Sequence, residues 1–175
     1  MNAGAYGREM KDIISEVTYL DTKTLEIYSR AGADCGFGYR TSIFEKTGSI
    51  VLKMRVTLQK GDKNDIMAYI AELRDKRTGS QPLEMPSAGS TFKRPEGHYA
   101  GALIEKSGLK GFGLDDSGAQ VSAKHAGFVV NAGGKASATD IYRLICYVTD
   151  RVMEDSGVML EPEVRLIGFK DRSDC

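Results

Sequence analysis

The alternation of apolar and polar residues predicts β-strands between residues 14 and 58. An early strand contains Val17 and Tyr19, and the segment 24–27 repeats the alternation after a polar turn. The last of these strands has one apolar face and one polar face, which is typical of a half-buried strand. Its apolar face is formed by Leu52, Met54, Val56 and Leu58.

An amphipathic helix is predicted to follow these strands. Asp62 and Asn64 are residue types that favour helix N-caps, and apolar residues recur after them at helical spacing. These apolar residues are Ile66, Met67, Ile70 and Leu73. Gly79 and Pro82 are expected to end the helix.

Beyond Pro82 the pattern changes to alternating short strands and helices, typical of a compact α+β unit. A short helix is predicted from Tyr99 to Lys106, and strands are predicted at 127–131 and 163–168. The glycine-rich segment 108–118 matches neither the phosphate-binding P-loop nor the dinucleotide-binding motif, so it is predicted to form turns.

The longest helix is predicted to begin after Ser137. Ser137 and Asp140 have capping-box spacing, and Gly157 is a suitable C-terminal glycine. Between these ends one apolar stripe runs along the helix, which indicates core packing rather than a cofactor face. The stripe consists of Ile141, Leu144, Ile145, Val148 and Val152.

Composition narrows the function classes. The 175 residues are 41% apolar and 27% charged, as in an ordinary globular protein of one domain or two small ones. The net charge is zero, so no global basic field attracts nucleic acid, and an anion site must be local. No apolar run is long enough for a membrane span. The three cysteines have no metal-ligand spacing, and we predict no metal site.

The segment 86–98 is the strongest candidate for a binding site. Small residues come first, Ser90 supplies a hydroxyl, and Lys93 and Arg94 follow as adjacent cations. Small residues allow a ligand close to the backbone, and paired cations suit an anion. The alternative is a serine-rich surface loop with solvated cations.

Other candidate residues also have a plain structural alternative. The pair Tyr39 and Arg40 fits a strand edge whose cation extends into water. Arg77 fits a solvated last turn of a helix, Glu163 fits an exposed strand position, and His125 fits a structural histidine.

A family resemblance favours the functional interpretations. The segment Ser87-Ala88-Gly89-Ser90-Thr91-Phe92-Lys93-Arg94-Pro95 resembles the "G-S-x-F-x-x-P" segment of UDP-N-acetylenolpyruvoylglucosamine reductase, a bacterial flavoenzyme of peptidoglycan synthesis. Four further segments resemble family segments in the same order, so the resemblance covers essentially the whole chain. They are residues 2–7, 38–44, 125–131 and 161–168.

The resemblance implies an α+β fold in two parts. Residues 1–84 correspond to the remainder of the FAD-binding domain, mostly strands with a connecting helix, and residues 85–175 to a small α+β substrate-binding domain. In the family, the segment matching residues 2–7 lies deep inside the chain. We therefore expect this polypeptide to represent the C-terminal portion, without most of the FAD-binding domain.

The resemblance also implies a reaction. NADPH is the hydride donor, FAD is the cofactor, and UDP-N-acetylglucosamine enolpyruvate is reduced to UDP-N-acetylmuramate. Ser90 matches the family's proton donor, Arg40 matches the arginine that stabilises the developing negative charge, and Glu163 matches its carboxylic acid partner. Such chemistry needs a placed acid and cations aimed at the developing oxyanion.

Further roles follow from the same resemblance. The flavin-contacting residues are expected to be Asn2, Ala3, Gly4, Ala5, Tyr6, Gly7 and Arg77. The UDP-sugar is expected to contact Tyr39, Lys93, Arg94 and His125. A cytoplasmic protein with roles in cell-wall biogenesis, cell shape and cell division is implied, with no nucleic-acid or membrane partner and an oligomeric state that is left open. The alternative is a truncated, inactive module that only binds the UDP-sugar.

Overall fold

The computed structural model describes residues 1–169, and the chain divides into two compact units, Met1–Asp65 and Ile66–Cys175. We call them unit 1 and unit 2. Strands and helices are both present, so the predicted α+β class is confirmed. The predicted domain boundary after residue 84 stays a prediction.

Unit 1 contains a small hairpin and a three-stranded antiparallel sheet in the order β4-β3-β5. The elements are β1 (Gly4–Ala5), β2 (Arg8–Glu9), β3 (Ile14–Leu20), β4 (Ile27–Ala31), α1 (Ile43–Thr47) and β5 (Ile50–Val56). Its core packs on the central strand β3, where Ile14 and Val17 meet Cys35 and Phe44. Strands are thus confirmed between residues 14 and 58.

Two details of this sheet differ from the sequence prediction. Strand β4 begins at Ile27 because Leu25 lies in the preceding turn with φ of 60°. Strand β5 is not half-buried, since every one of its residues is exposed, including Leu52 at 52% and Met54 at 50%. Alternation correctly identified the strand, but β5 lies at the sheet edge and its apolar face is open in unit 1.

The helix α2 spans Lys63–Ser80, close to the predicted ends. Asp62 caps it, since its Oδ1 accepts a hydrogen bond from the backbone N–H of Asn64 at 2.8 Å. The predicted amphipathic burial is wrong for the described structure, because Ile66, Met67 and Ile70 are about half exposed.

Unit 2 has an antiparallel sheet in the order β6-β8-β7 with two helices packed on it. Its elements are β6 (Ser87–Ser90), α3 (Ala100–Lys106), β7 (Ala119–Val121), β8 (Phe128–Asn131) and α4 (Ala138–Ser156). The core joins Ile104 of α3, Val121 of β7 and Val129 of β8 to the buried stripe of α4. The predicted short helix, the turns at 108–118 and the strand ending at Asn131 are confirmed.

The ends of α4 agree with the sequence prediction. Ser137 Oγ accepts a hydrogen bond from the backbone N–H of Asp140 at 3.2 Å, and Asp140 Oδ2 accepts one from the backbone N–H of Ser137 at 2.8 Å. Gly157 ends the helix with φ of 70°. Leu144, Val148 and Val152 of the predicted stripe are completely buried.

One strand of unit 2 was not predicted, and one predicted strand is absent from the described residues. Residues 87–90 form the short strand β6, so the alternative of a surface loop does not describe them. Residues 163–168 form bends and not a strand, and pairing is limited to a bridge between Phe92 and Pro162 just before them. Alternation at 163–166 was a local signal, and no described strand pairs with those residues.

Candidate functional site

The predicted flavin-contacting segment 2–7 folds as one arm and the turn of the β1–β2 hairpin. Tyr6 and Gly7 form its two-residue turn with φ of 51° and 76°, the signature of a type I′ turn. Gly4 is required by space, because a Cβ there would lie 3.1 Å from Glu9 Cγ and 3.3 Å from the Arg8 carbonyl oxygen.

Asn2 anchors this hairpin. Its side chain is buried, its Nδ2 donates to Glu9 Oε2 at 2.7 Å and to the Gly38 carbonyl at 3.2 Å, and its Oδ1 accepts from the Lys11 N–H at 2.9 Å. These bonds use both ends of the amide. Asn2 therefore holds the segment in place through internal contacts, and the backbone and small side chains after it remain for a ligand.

Tyr39 and Arg40 form the tip of a tight turn and do not lie at a strand edge. Backbone hydrogen bonds join Gly38 and Thr41 in both directions, at 3.2 and 3.4 Å. Arg40 has φ of 53°, a strained conformation for a residue with a side chain, and its guanidinium lies 5.0 Å from the centre of the Tyr39 ring. Unit 1 thus brings Arg40 beside the hairpin, with Arg40 Nη1 3.9 Å from the Cβ position of Gly4.

A groove of about 830 Å³ follows the hairpin within unit 1. Ala3, Gly4 and Ala5 line it on one side, and Arg8 adds a cation that the sequence analysis did not identify. Its neighbour Glu9 has a pKa below the usual carboxyl value, because Lys11 and Asn2 donate hydrogen bonds to its carboxylate. No local sequence signal separates Arg8 from other surface arginines.

Ser90 lies at the end of β6, opposite Phe128 of β8. The pairing of the two strands is shifted between Ser87 and Ser90, and Gly89 has φ of 88° at this irregularity. This bulge needs a glycine for its backbone conformation. Ser90 is exposed, and within residues 1–169 its hydroxyl makes no hydrogen bond, so it can meet a ligand.

The segment after Ser90 pairs with the segment before Glu163. The N–H of Glu163 donates to the Thr91 carbonyl at 2.8 Å, and the N–H of Lys93 donates to the Glu161 carbonyl at 2.8 Å. The bridge between Phe92 and Pro162 lies between these bonds. The fold therefore brings the segments of two predicted catalytic positions, Ser90 and Glu163, side by side in one unit.

The two predicted cations after Ser90 have partners. Lys93 Nζ forms an ion pair with Glu161, and both side chains are partly exposed. An exposed ion pair contributes about 0–1 kcal/mol, so an anionic ligand can replace it at low cost. The Arg94 guanidinium lies 4.1 Å from the centre of the Tyr99 ring, and this cation–π contact holds the guanidinium over the ring.

His125 lies in the turn before β8, next to the strand that carries Ser90. Its Nδ1 accepts a hydrogen bond from the Gly127 N–H at 3.0 Å, so Nε2 is the ring nitrogen left for a ligand. The ring packs edge-on against Phe128 at 5.0 Å. A Cβ at Gly127 would lie 3.0 Å from this ring, so glycine is needed there for packing.

Arg77 lies in the last turn of α2, where its Nε donates to Gln81 Oε1 at 3.1 Å. Lys124 Nζ donates to the Thr78 carbonyl at 2.7 Å and so ties this helix end to the turn that carries His125. The role of Arg77 toward a flavin stays a prediction. The described residues include no cluster of His, Cys, Asp or Glu that could hold a metal ion, and none of their helices is long and apolar enough to cross a membrane.

The chain is similar to known proteins. Residues 81–167 match the family described as UDP-N-acetylenolpyruvoylglucosamine reductase, C-terminal domain. A protein of that name from Agathobacter rectalis is 51% identical over 168 residues, which are 96% of this chain and 52% of the relative. Its namesake from Lachnoclostridium phytofermentans is 51% identical over 170 residues, which are 97% of this chain and 54% of the relative.

A solved structure agrees with the sequence matches. The crystal structure of UDP-N-acetylenolpyruvylglucosamine reductase from Thermus caldophilus superposes with a TM-score of 0.77 at 35% identity. The superposition covers 94% of this chain and 57% of that chain. The fold of unit 2 is thus that of a reductase C-terminal domain. Residues 81–167 thus belong to the UDP-N-acetylenolpyruvoylglucosamine reductase family, and the chain spans about half the length of the curated relatives it matches.

Proposed function

We propose that this chain carries part of the active site of an FAD- and NADPH-dependent oxidoreductase. The reaction is the reduction of UDP-N-acetylglucosamine enolpyruvate to UDP-N-acetylmuramate, in peptidoglycan precursor synthesis. The observation that carries the proposal is the pairing of residues 91–93 with 161–163, because it joins the Ser90 and Glu163 segments, which are far apart in sequence. The family membership and the structural match support the same reaction.

Ser90 is proposed to supply the proton. Reduction of the enolpyruvyl double bond adds hydride to one carbon and leaves an enolate, whose carboxylate-bearing carbon then takes a proton from the Ser90 hydroxyl. A serine hydroxyl is a weak acid, so this transfer needs a strongly basic acceptor held close to it. The exposed side chain of Ser90 is compatible with that contact.

Glu163 and Arg40 are proposed to stabilise the charge that develops during this transfer. Arg40 is a permanent cation, and positive charge aimed at an enolate lowers the barrier to its formation. The strained backbone at Arg40 supports a functional role, because such strain is concentrated at binding and catalytic sites. Glu163 is half-buried and anchored by its backbone to Thr91.

The UDP part of the substrate is proposed to bind Tyr39, Lys93, Arg94 and His125. The chain has no net charge, so a diphosphate must be attracted locally, and Lys93 and Arg94 concentrate two cations after Ser90. His125 contributes Nε2, since its Nδ1 is used by Gly127. A cytoplasmic location, where nucleotide sugars are made, is part of the same proposal.

The residues of the hairpin fit a flavin. Ala3, Gly4 and Ala5 have small side chains, so the groove that they line has room for a flat ring system. Arg8 also lines this groove and supplies a cation for a phosphate group. Arg77 is the further residue proposed to contact FAD. The flavin, when bound, supplies the hydride that it has received from NADPH. The protein's own residues bind and orient the substrate and deliver the proton.

The first test is a visible absorption spectrum of the purified chain, taken before and after FAD addition and desalting. We expect a flavin band that stays with the protein. A colourless protein in both spectra would contradict flavin-dependent catalysis by this chain and favour the alternative, a module that only binds the UDP-sugar.

The second test is calorimetric titration with UDP-N-acetylglucosamine. Arg94→Ala is expected to lower the affinity about tenfold, because a charge-assisted hydrogen bond to phosphate is lost. Arg143→Ala removes an exposed cation of α4 and serves as the control with unchanged affinity. Equal affinities for both variants would contradict the substrate role of Arg94.

A further inference from the structure

Thr91, which directly follows Ser90, is a buried polar residue whose side chain and backbone both bond to other segments of unit 2. It is only 2% exposed, and its Oγ1 accepts a hydrogen bond from the Val129 N–H at 2.9 Å. Its own N–H donates to the Gly127 carbonyl at 2.9 Å, and its carbonyl accepts from the Glu163 N–H at 2.8 Å. Three segments that are distant in sequence therefore meet at one residue.

The hydroxyl of Thr91 stabilises an irregular part of the sheet. Pairing between β6 and β8 is shifted between Ser87 and Ser90, so regular strand pairing is interrupted where Val129 faces β6. The threonine hydroxyl acts there as the acceptor for a buried backbone N–H, which is costly to leave unpaired. Without this bond, the segment between Ser90 and its pairing with Glu163 would no longer be held to β8 by the Thr91 side chain.

We infer that Thr91 is a positioning residue of this site: it holds the segment of Ser90 and the segment of Glu163 in a fixed relation, so that the reacting end of the substrate meets both. The inference rests on the proposed function. Thr91 directly follows β6 and is buried beside an apolar cavity, so it acts through its neighbours and does not contact the substrate itself.

Three variants separate this role from general stability. Thr91→Val keeps the shape of the side chain and removes the acceptor, whereas Thr91→Ser keeps the acceptor and removes a methyl group. Thr149→Val is the matched control, because Thr149 is also a buried threonine, and its hydroxyl donates to the Ile145 carbonyl within α4 at 2.9 Å.

The first readout is amide hydrogen exchange followed by NMR. In Thr91→Val, the Val129 amide loses its acceptor and is expected to exchange about tenfold faster, the effect of losing one net hydrogen bond. The Glu163 amide keeps the Thr91 carbonyl as its acceptor, and it is also expected to exchange faster, because the segment that carries this carbonyl is no longer held to β8. Thr91→Ser should restore both rates to within about twofold of the original protein. Thr149→Val should leave both rates unchanged. An unchanged Glu163 amide in Thr91→Val would overturn the inference.

The second readout compares two ligands by calorimetry. UDP-N-acetylmuramate carries a carboxylate at the reacting end, whereas UDP-N-acetylglucosamine has the same nucleotide without it. Thr91→Val is expected to lower the affinity for UDP-N-acetylmuramate about fivefold to tenfold and to change the affinity for UDP-N-acetylglucosamine less than about twofold. The difference between the two effects corresponds to the free energy of about one hydrogen bond. Equal losses for both ligands would contradict a role at the reacting end.

The two proposals fail in different ways. If the unmodified chain binds neither UDP-sugar, the proposed function fails. The Glu163 amide in Thr91→Val still decides whether Thr91 holds the two segments together, since faster exchange supports that role and unchanged exchange overturns it.

Discussion

At the scale of single residues, this protein places its proposed chemistry on backbone positions with unusual geometry. Arg40 has φ of 53° at the tip of a turn, and Ser90 follows Gly89, whose φ is 88°. Such positions are set by surrounding hydrogen bonds, here the paired bonds of Gly38 and Thr41. Residue type indicated both candidates in the sequence, whereas the conformations that present them depend on tertiary contacts.

Replacing Ser90 tests the proposed proton donor at this scale. In the flavin-loaded enzyme, Ser90→Ala is expected to slow enolpyruvyl reduction by about 10²-fold or more, because the acid is missing, while oxidation of NADPH keeps its rate. Stopped-flow absorbance separates the two half-reactions. Ser87→Ala, another exposed serine of β6, is the control. Loss of both half-reactions to the same degree would argue against proton donation by Ser90.

At the scale of secondary-structure elements, local sequence patterns correctly predicted the helices α3 and α4 of unit 2. They wrongly predicted a strand at residues 163–168. The capping box, the apolar stripe and Gly157 together specify α4 from within its own sequence. The alternation at 163–166 suggested a strand, yet these residues form bends after a short bridge to Phe92. A strand requires a partner edge, and its own residues cannot supply one.

The capping box of α4 predicts a pH dependence of stability. Hydrogen bonds from Ser137 hold the pKa of Asp140 below its ordinary value, so the carboxylate stabilises the fold fully above that value. This contribution disappears as the pH falls through the lowered folded-state pKa. Asp140→Asn is therefore expected to melt at a lower temperature than the original protein near pH 6, with a difference that shrinks toward pH 3.

Melting curves by circular dichroism between pH 3 and pH 7 measure this difference. Asp116→Asn, an exposed turn residue, is the control and should give a small difference at every pH. A gap between the original protein and Asp140→Asn that stays constant down to pH 3 would show that Asp140 does not contribute through its charge.

At the scale of the whole molecule, the two units differ in how well they bury their apolar residues. Unit 2 has a continuous core in which Ile104, Leu144 and Val121 are completely buried. Unit 1 has a small core on β3, while Leu52 and Met54 of the edge strand β5 are half exposed. Exposed apolar strand edges favour association with other chains.

This contrast predicts the order of proteolysis. Limited digestion is expected to cut first within residues 1–65 and to leave a resistant fragment of unit 2, because buried cores protect the backbone. Mass spectrometry identifies the first products, and a fragment of residues 81–175 should unfold cooperatively by itself. Removal of the C-terminal half before the N-terminal half would contradict this prediction.

The sequence alone determined the features whose causes are local. Caps, helical stripes and strand alternation depend on neighbours within a few residues, so α4, α3 and the strands β3, β4 and β5 were predictable. The hydroxyl of Ser90 and the cations after it were visible as residue types, and five ordered segments indicated the family.

Tertiary structure alone decided which of these residues meet. The bonds from Thr91 to Val129 and Glu163 join distant segments, and no periodicity reports such a pairing. Alternation likewise shows that β5 has an apolar face, but burial of that face depends on what packs against it. The physical reason is the same in both cases: a residue's conformation responds to its near neighbours, whereas its partners and its burial depend on chain segments far away in sequence.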